Sequence, residues 1–240
     1  MKPFLAIAFA IGASLAFSEE EELNARKDDP WASRKPGTWV KWQWESNGGG
    51  EATTGKYTET LDRVEEKQLV FKVLRDDGTE TTTDEENREF PEIFKVDWTV
   101  VGKETLEVDG KKIECRILLR QHKKSKGQTT SWRGKVNGKE IELKSVAHSE
   151  FPDGKVLDDQ SRVVKLSEDM KIGDRTVKCM VSESKDTSKE GDEVTKTTRK
   201  TWSAEEIPGS VAKSESRTVT GEEETTTAWK VLDFGFPAKD

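Results

Sequence analysis

The chain is short of the residues that build reactive centres: two cysteines, two histidines and one tyrosine among 240 residues. It contains no Gly-x-Ser-x-Gly nucleophile elbow, no phosphate-cradling glycine loop and no helical pair of zinc ligands. Catalysis is therefore left without a candidate residue, and nothing calls for a metal or cofactor. His122, beside Lys123-Lys124, and His148, beside Ser149, are expected at the surface. Acidic pairs such as Glu65-Glu66, Glu85-Glu86 and Glu205-Glu206 read as turn residues with solvated carboxylates, so no glycosidase pair stands out. Long hydrophobic runs are missing as well: beyond residue 18 no apolar segment is long enough to cross a bilayer.

The one apolar run, Phe4 to Phe17, follows a single base, Lys2, and precedes Glu19–Glu22. That layout, with small side chains at Ala16 and Ser18, is a secretory signal peptide over residues 1–18, which predicts an exported protein, periplasmic or extracellular. Its removal takes one base and no acid, so the net charge of −7 becomes −8. An acidic surface disfavours nucleic acid and anionic bilayers, whose partners need a basic face. Residues 19–35 are acidic with little to bury and read as a flexible tail.

From residue 36 to 240 the chain reads as one β-rich domain. Trp42 and Trp44 share a face against Lys41 and Gln43, and Ile113, Cys115 and Ile117 share another. Val177, Cys179 and Val181 repeat the pattern, and 24 threonines suit a solvated pleated face. Only Thr83 to Phe90, stopped by Pro91, suggests a helix. The apolar share of 32% implies a thin core, which a sheet wet on one face accommodates.

Turn signals recur in two matched sets, about 104–166 and 167–234. In the first, Asp109-Gly110, Cys115, Trp132, Asn137-Gly138 and Ile141 follow one another; in the second, Gly173-Asp174, Cys179, Trp202, Pro208-Gly209 and Val211 do so at similar spacing. Asn-Gly predicts a type I′ hairpin and Pro-Gly a type II turn. The expected fold is an all-β antiparallel meander with an internal duplication, curved into a half-barrel or closed as a barrel or sandwich. Cys115 and Cys179 occupy equivalent positions; in an oxidising compartment they are a candidate disulfide, the alternative being two small buried hydrophobes. Cys115 and His122, seven apart, fall on opposite faces of a strand and do not suggest a metal site.

The run Trp202-Ser203-Ala204-Glu205-Glu206-Ile207-Pro208-Gly209, followed by Val211, Lys213 and Glu215 and a strand near Ala228–Phe234, resembles the final hairpins of LolA/LolB-like exported bacterial carriers. That resemblance implies a curved antiparallel half-barrel whose concave side holds acyl chains. With eight tryptophans in so thin a core, Trp42, Trp44, Trp132, Trp202 and Trp229 become candidates for lining a concave ligand face. The expected function is non-catalytic binding of a lipid or other apolar or amphipathic small molecule. The alternative is a structural or protein-interaction module of the cell envelope.

Overall fold

The computed structural model describes residues 18–23, 29–76, 81–89, 94–123 and 125–237. The expected signal peptide lies outside them except for Ser18. The described residues form strands and turns, without a helix, in one antiparallel sheet of fourteen strands. In chain order these are β1 (Ser18–Leu23), β2 (Trp39–Gly48), β3 (Glu51–Val64), β4 (Gln68–Asp76), β5 (Thr81–Glu89), β6 (Phe94–Val108) and β7 (Lys111–Gln121). They continue as β8 (Lys126–Val136), β9 (Lys139–Glu150), β10 (Val156–Ile172), β11 (Arg175–Glu190), β12 (Glu193–Ser203), β13 (Val211–Thr220) and β14 (Glu223–Gly235).

Strand order is β1-β6-β7-β8-β9-β10-β11-β12-β13-β14-β2-β3-β4-β5, so the N-terminal hairpins attach beyond the last strand. Among the described residues neither β1 nor β5 has a second partner, which leaves the sheet open rather than a closed barrel or two-sheet sandwich. It cannot be flat. Strands β5 and β6 stand twelve places apart in that order, about 58 Å at ordinary spacing, yet residues 90–93 join them and span at most about 18 Å between Glu89 and Phe94. The sheet therefore bends back on itself. The same bending brings the tip of the β10–β11 hairpin to β14: the Arg175 guanidinium lies 4.5 Å from the Phe234 ring centroid.

The hairpins form where the turn residues require. Asn137 and Gly138, the two residues between β8 and β9, both have positive φ, as a type I′ turn demands. At Pro208-Gly209, φ is +79° at Gly209 and Ser210 N donates to Ile207 O at 2.9 Å, the geometry of a type II turn.

Two apolar clusters flank the long β10–β11 ribbon, because alternate residues face opposite ways. Val177, Cys179, Val181 and Ile172 join a larger core with Trp31, Val40, Trp42, Leu61, Phe71 and Phe234. Met180, Val163 and Leu166 join a smaller one with Ile113, Cys115, Leu143 and Trp132.

Three expectations need correction. The segment around Thr83 is strand β5, not a helix: Glu86 and Asn87 sit opposite Phe71 and Val70, and ladder pairing with β4 outweighs local preference. Glu85 and Glu86 therefore stand on a strand rather than in a turn, paired with Arg63 and Arg75. The acidic stretch read as a tail supplies β1 at Ser18–Leu23, beside β6, and its Trp31 is 3% exposed in the core.

Cys115 and Cys179 are free, fully buried thiols. They lie on β7 and β11, in different clusters with three strands between, so the candidate disulfide is not formed. Each thiol bonds weakly to the carbonyl two residues before it, Ile113 O or Val177 O. Burial pushes both thiols up, Cys179 to about 11.

Candidate functional site

The five tryptophans do not converge. Trp44 and Trp229 are directly opposite on β2 and β14, with centroids 6.2 Å apart. Tyr57 joins them edge-on to Trp229 at 6.0 Å, and stacks on Trp42 at 6.3 Å. Trp42 is nearly buried and donates from Nε1 to Glu59 at 3.3 Å, while Glu59 also accepts from Arg88 at 3.2 Å. Burial, reinforced by the Glu59 charge, raises the Tyr57 phenol well above its usual range, so it stays neutral. Gly55 faces Trp44 across the β2–β3 ladder, and a side chain there would meet the indole at 2.6 Å. This aromatic set is packed against itself, with Trp229 at its outer edge, 36% exposed.

Trp202 shares the larger core cluster with Trp42 but makes no ring contact with this set, and Trp132 belongs to the smaller cluster; the two sit in equivalent settings. Trp132 donates from Nε1 to Glu104 at 2.6 Å, and Lys144 Nζ lies 4.2 Å from its ring centroid. Trp202 donates to Glu168 at 2.8 Å, and Lys213 Nζ lies 4.6 Å from its ring. Glu104 is the ladder partner of Cys115, and Glu168 of Cys179. Ile117 and Val181, each two residues past its cysteine, face Trp132 and Trp202. The two settings thus carry the same Glu, Cys, Trp and Lys arrangement. Lys165, first, and the Trp202 indole hold Glu168 below the usual carboxylate range.

A groove of about 890 Å³ opens across β11, β12, β13, β14, β2 and β3. Two ladder rows border it. One is Glu183, Lys200, Glu215, Ala228, Glu45 and Thr54; the other is Lys185, Thr198, Arg217, Thr226, Asn47 and Ala52. Directly paired antiparallel residues, and residues two apart on a strand, point to the same side. Both rows therefore share one face. The intervening row, Ser184, Arg199, Ser216, Thr227, Ser46 and Thr53, points to the other, as do Trp44 and Trp229, and contributes its backbone to the floor. None of the five candidate tryptophans lines this groove. Trp202 stands on its face, two residues beyond Lys200, with the Lys200 ammonium 5.1 Å from its ring.

Alternation in the sequence marks which residues share a strand face, but a row across six strands depends on pairing partners. These strands come from both ends of the chain. The only sequence signal for the groove is its run of small and hydroxyl residues, Ala52-Thr53-Thr54 and Thr225–Ala228, where rings would otherwise fill the space.

His122 is half-buried rather than a surface residue. Its ring nitrogens contact Ser149 Oγ and Thr129 Oγ1, both at 2.8 Å, and burial with the nearby Arg120 charge lowers its proton affinity. Ser149 is itself buried, and neither ring nitrogen meets a carboxylate, so this pair satisfies polar groups in the sheet. His148 is exposed, and hydrogen bonds to Asp158 and then Glu150 raise its proton affinity. Among the described residues no group of three or more His, Cys, Asp or Glu side chains could hold a metal ion.

No family model and no curated protein sequence matches the chain. Among solved structures it is similar to an exported protein with a YmcC-like fold from Bacteroides fragilis (TM-score 0.39, 9% identity, covering 84% of this chain and 97% of that one). Others are a DUF1329 family protein from Desulfovibrio piger (0.35, 13%, 85% and 86%) and the hypothetical lipoprotein YmcC from Escherichia coli (0.30, 14%, 90% and 90%). At these scores the likeness carries no functional inference, and the functional reading rests on the chain's own residues.

Proposed function

We propose that the chain is an exported, non-catalytic binding protein whose apolar or amphipathic ligand lies in the groove across β11, β12, β13, β14, β2 and β3. The groove itself carries this reading. It has the volume of a small-molecule site, and methyl-bearing Ala228, Thr226, Ala52 and Thr54 line one half. The Trp44–Trp229 set, by contrast, is occupied by its own rings. Export rests on the signal peptide of residues 1–18.

The test is native mass spectrometry of the mature protein purified gently from its own envelope fraction. A lipid-sized added mass is expected on the wild type and on Trp229→Ala, across the sheet, and is expected to vanish with Ala228→Trp, which fills the groove. A clean apo mass, or an adduct that survives Ala228→Trp, refutes the reading.

One observation favours a second reading, an envelope protein-interaction module. The nine-residue strand β5 pairs with β4 alone among the described residues, leaving main-chain groups free for a partner strand. If β5 docks a partner, Asn87→Pro abolishes its capture from envelope extract; capture unchanged by that substitution removes β5 from the interface.

A further inference from the structure

The groove has one charged half and one neutral half, and the charges in the first are unequally matched. Glu183 is neutralised from outside the groove by Arg162 at 3.1 Å, Glu215 by Lys213 at 2.6 Å, and Arg217 by Glu224 at 2.7 Å. Lys185 and Lys200 have no carboxylate within 4 Å among the described residues. Lys200 lies over the Trp202 ring, and Glu168, on which its charge acts without a contact inside 4 Å, is bonded instead by Lys165 at 2.5 Å and by the Trp202 indole at 2.8 Å. Lys185 and Lys200 sit on adjacent strands, one diagonal step apart in the β11–β12 ladder, where long side chains reach a common point. Toward β3 the rows carry Ala228, Thr226, Asn47, Ala52 and Thr54, and the single charge there is Glu45, which accepts from Gln43 at 3.0 Å.

We infer that the ligand is an amphiphile with an anionic head group, seated by Lys185 and Lys200 at the β11–β12 end with its uncharged body running toward β3. This rests on the groove reading above. The reverse orientation would bring the anion to Glu45 and leave both ammonium groups facing an apolar chain. Four strand spacings from β12 to β3 give the body about 19 Å, the reach of a long extended acyl chain. The protein's net charge repels an anion at long range, so the selectivity is local and shows at equilibrium rather than in association rate.

The experiment is calorimetric titration of the mature protein with laurate, dodecyltrimethylammonium and dodecyl maltoside, each below its micellar concentration. Laurate is expected to bind about tenfold tighter than the cation. Lys185→Gln and Lys200→Gln are each expected to weaken laurate about threefold to tenfold while leaving dodecyl maltoside unchanged. Ala228→Trp is expected to block all three. Equal or tighter binding of the cation, or laurate affinity unmoved in both lysine variants, overturns the head-group assignment and leaves the groove standing. If no amphiphile binds, or if Ala228→Trp changes nothing, the groove reading falls and this inference with it. Lys185 is exposed, so its variant keeps the test decisive should Lys200→Gln disturb the packing on Trp202.

Discussion

Replacing Asp159 with asparagine is expected to stabilise the protein at neutral pH and to flatten its pH dependence. Asp159 on β10 stands directly opposite Asp186 on β11, with Glu142 of β9 adding negative charge and Arg199 of β12 opposing it. One Asp186 oxygen is buried with no hydrogen-bond partner among the described residues. Burial first, then the hydrogen bond and charge of Asp186, push Asp159 up to about 7 from an ordinary value of 3.8. The folded state therefore holds a proton that the unfolded chain has released between those values. Stability falls as pH rises from about 4 to 7 and stays reduced above that. The full difference is worth about 4 kcal/mol; water screens a half-buried pair, so about 1–2 kcal/mol is the working figure. For a chain of this size that is about 3–6 °C in Tm. Circular-dichroism melts of wild type and Asp159→Asn between pH 4.5 and 8.5 read it directly. The curves should meet near pH 4.5 and separate toward pH 8, the variant melting higher. His148, raised by its acidic neighbours, also contributes less as pH rises, but it contributes equally to both proteins and cancels in the difference. A variant that melts lower at every pH, or by a constant offset, refutes the shared-proton argument.

Gly55→Ala should cost about 1–3 kcal/mol, because its methyl would press the Trp44 indole at 2.6 Å. Trp44→Ala should relieve most of that cost in a double-mutant cycle, and strictly additive losses would show that the glycine serves another purpose. The two buried thiols should resist Ellman's reagent in the native protein and react fully in denaturant, with no mass change on reduction. Rapid native labelling, or a gain of two mass units on reduction, would contradict free buried cysteines.

The all-β class was legible because it rests on period-two alternation and on turn residues, both local properties. Asn137-Gly138 predicts its hairpin from two side chains, and the positive φ at both positions bears it out. Strand order is not local. Nothing in β2 or β14 alone announces that Trp44 will face Trp229, and that pairing separates the aromatic set from the groove. A tryptophan in a strand also cannot reveal which face it takes when a bulge intervenes, and register shifts occur beside both Trp132 and Trp202. Trp31 lies in a stretch with no period-two alternation, between Asp28-Asp29-Pro30 and Ala32-Ser33-Arg34. It is buried by packing on Gly209, where φ is +79° and a side chain would meet the indole at 2.8 Å. The acid-rich β5 segment looked helical because its ladder to β4 buries Phe71 and Val70, residues that lie elsewhere in the chain.

The two meanders share the Glu-Cys-Trp-Lys arrangement but not the charges that border the groove. The shared features, Glu104 with Glu168, Cys115 with Cys179, Trp132 with Trp202 and Lys144 with Lys213, pack or hydrogen-bond within the sheet. The groove's charged half is not shared. Where the second copy pairs Glu183 with Lys200 and Lys200 with Glu215, the first pairs Leu119 with Thr130 and Thr130 with Val146. Where the second sets Lys185 against Thr198 and Arg217, the first sets Gln121 against Gln128 and His148. A scaffold needs the residues that hold its strands together in each copy, whereas a ligand needs its charges only where it sits. The neutral half of the groove comes from β14, β2 and β3, and β2–β3 stand outside both copies. Lys185 and Lys200 on β11 and β12 have no charged counterpart in the first meander, and two strands further on β14 meets β2, which the first meander does not reach.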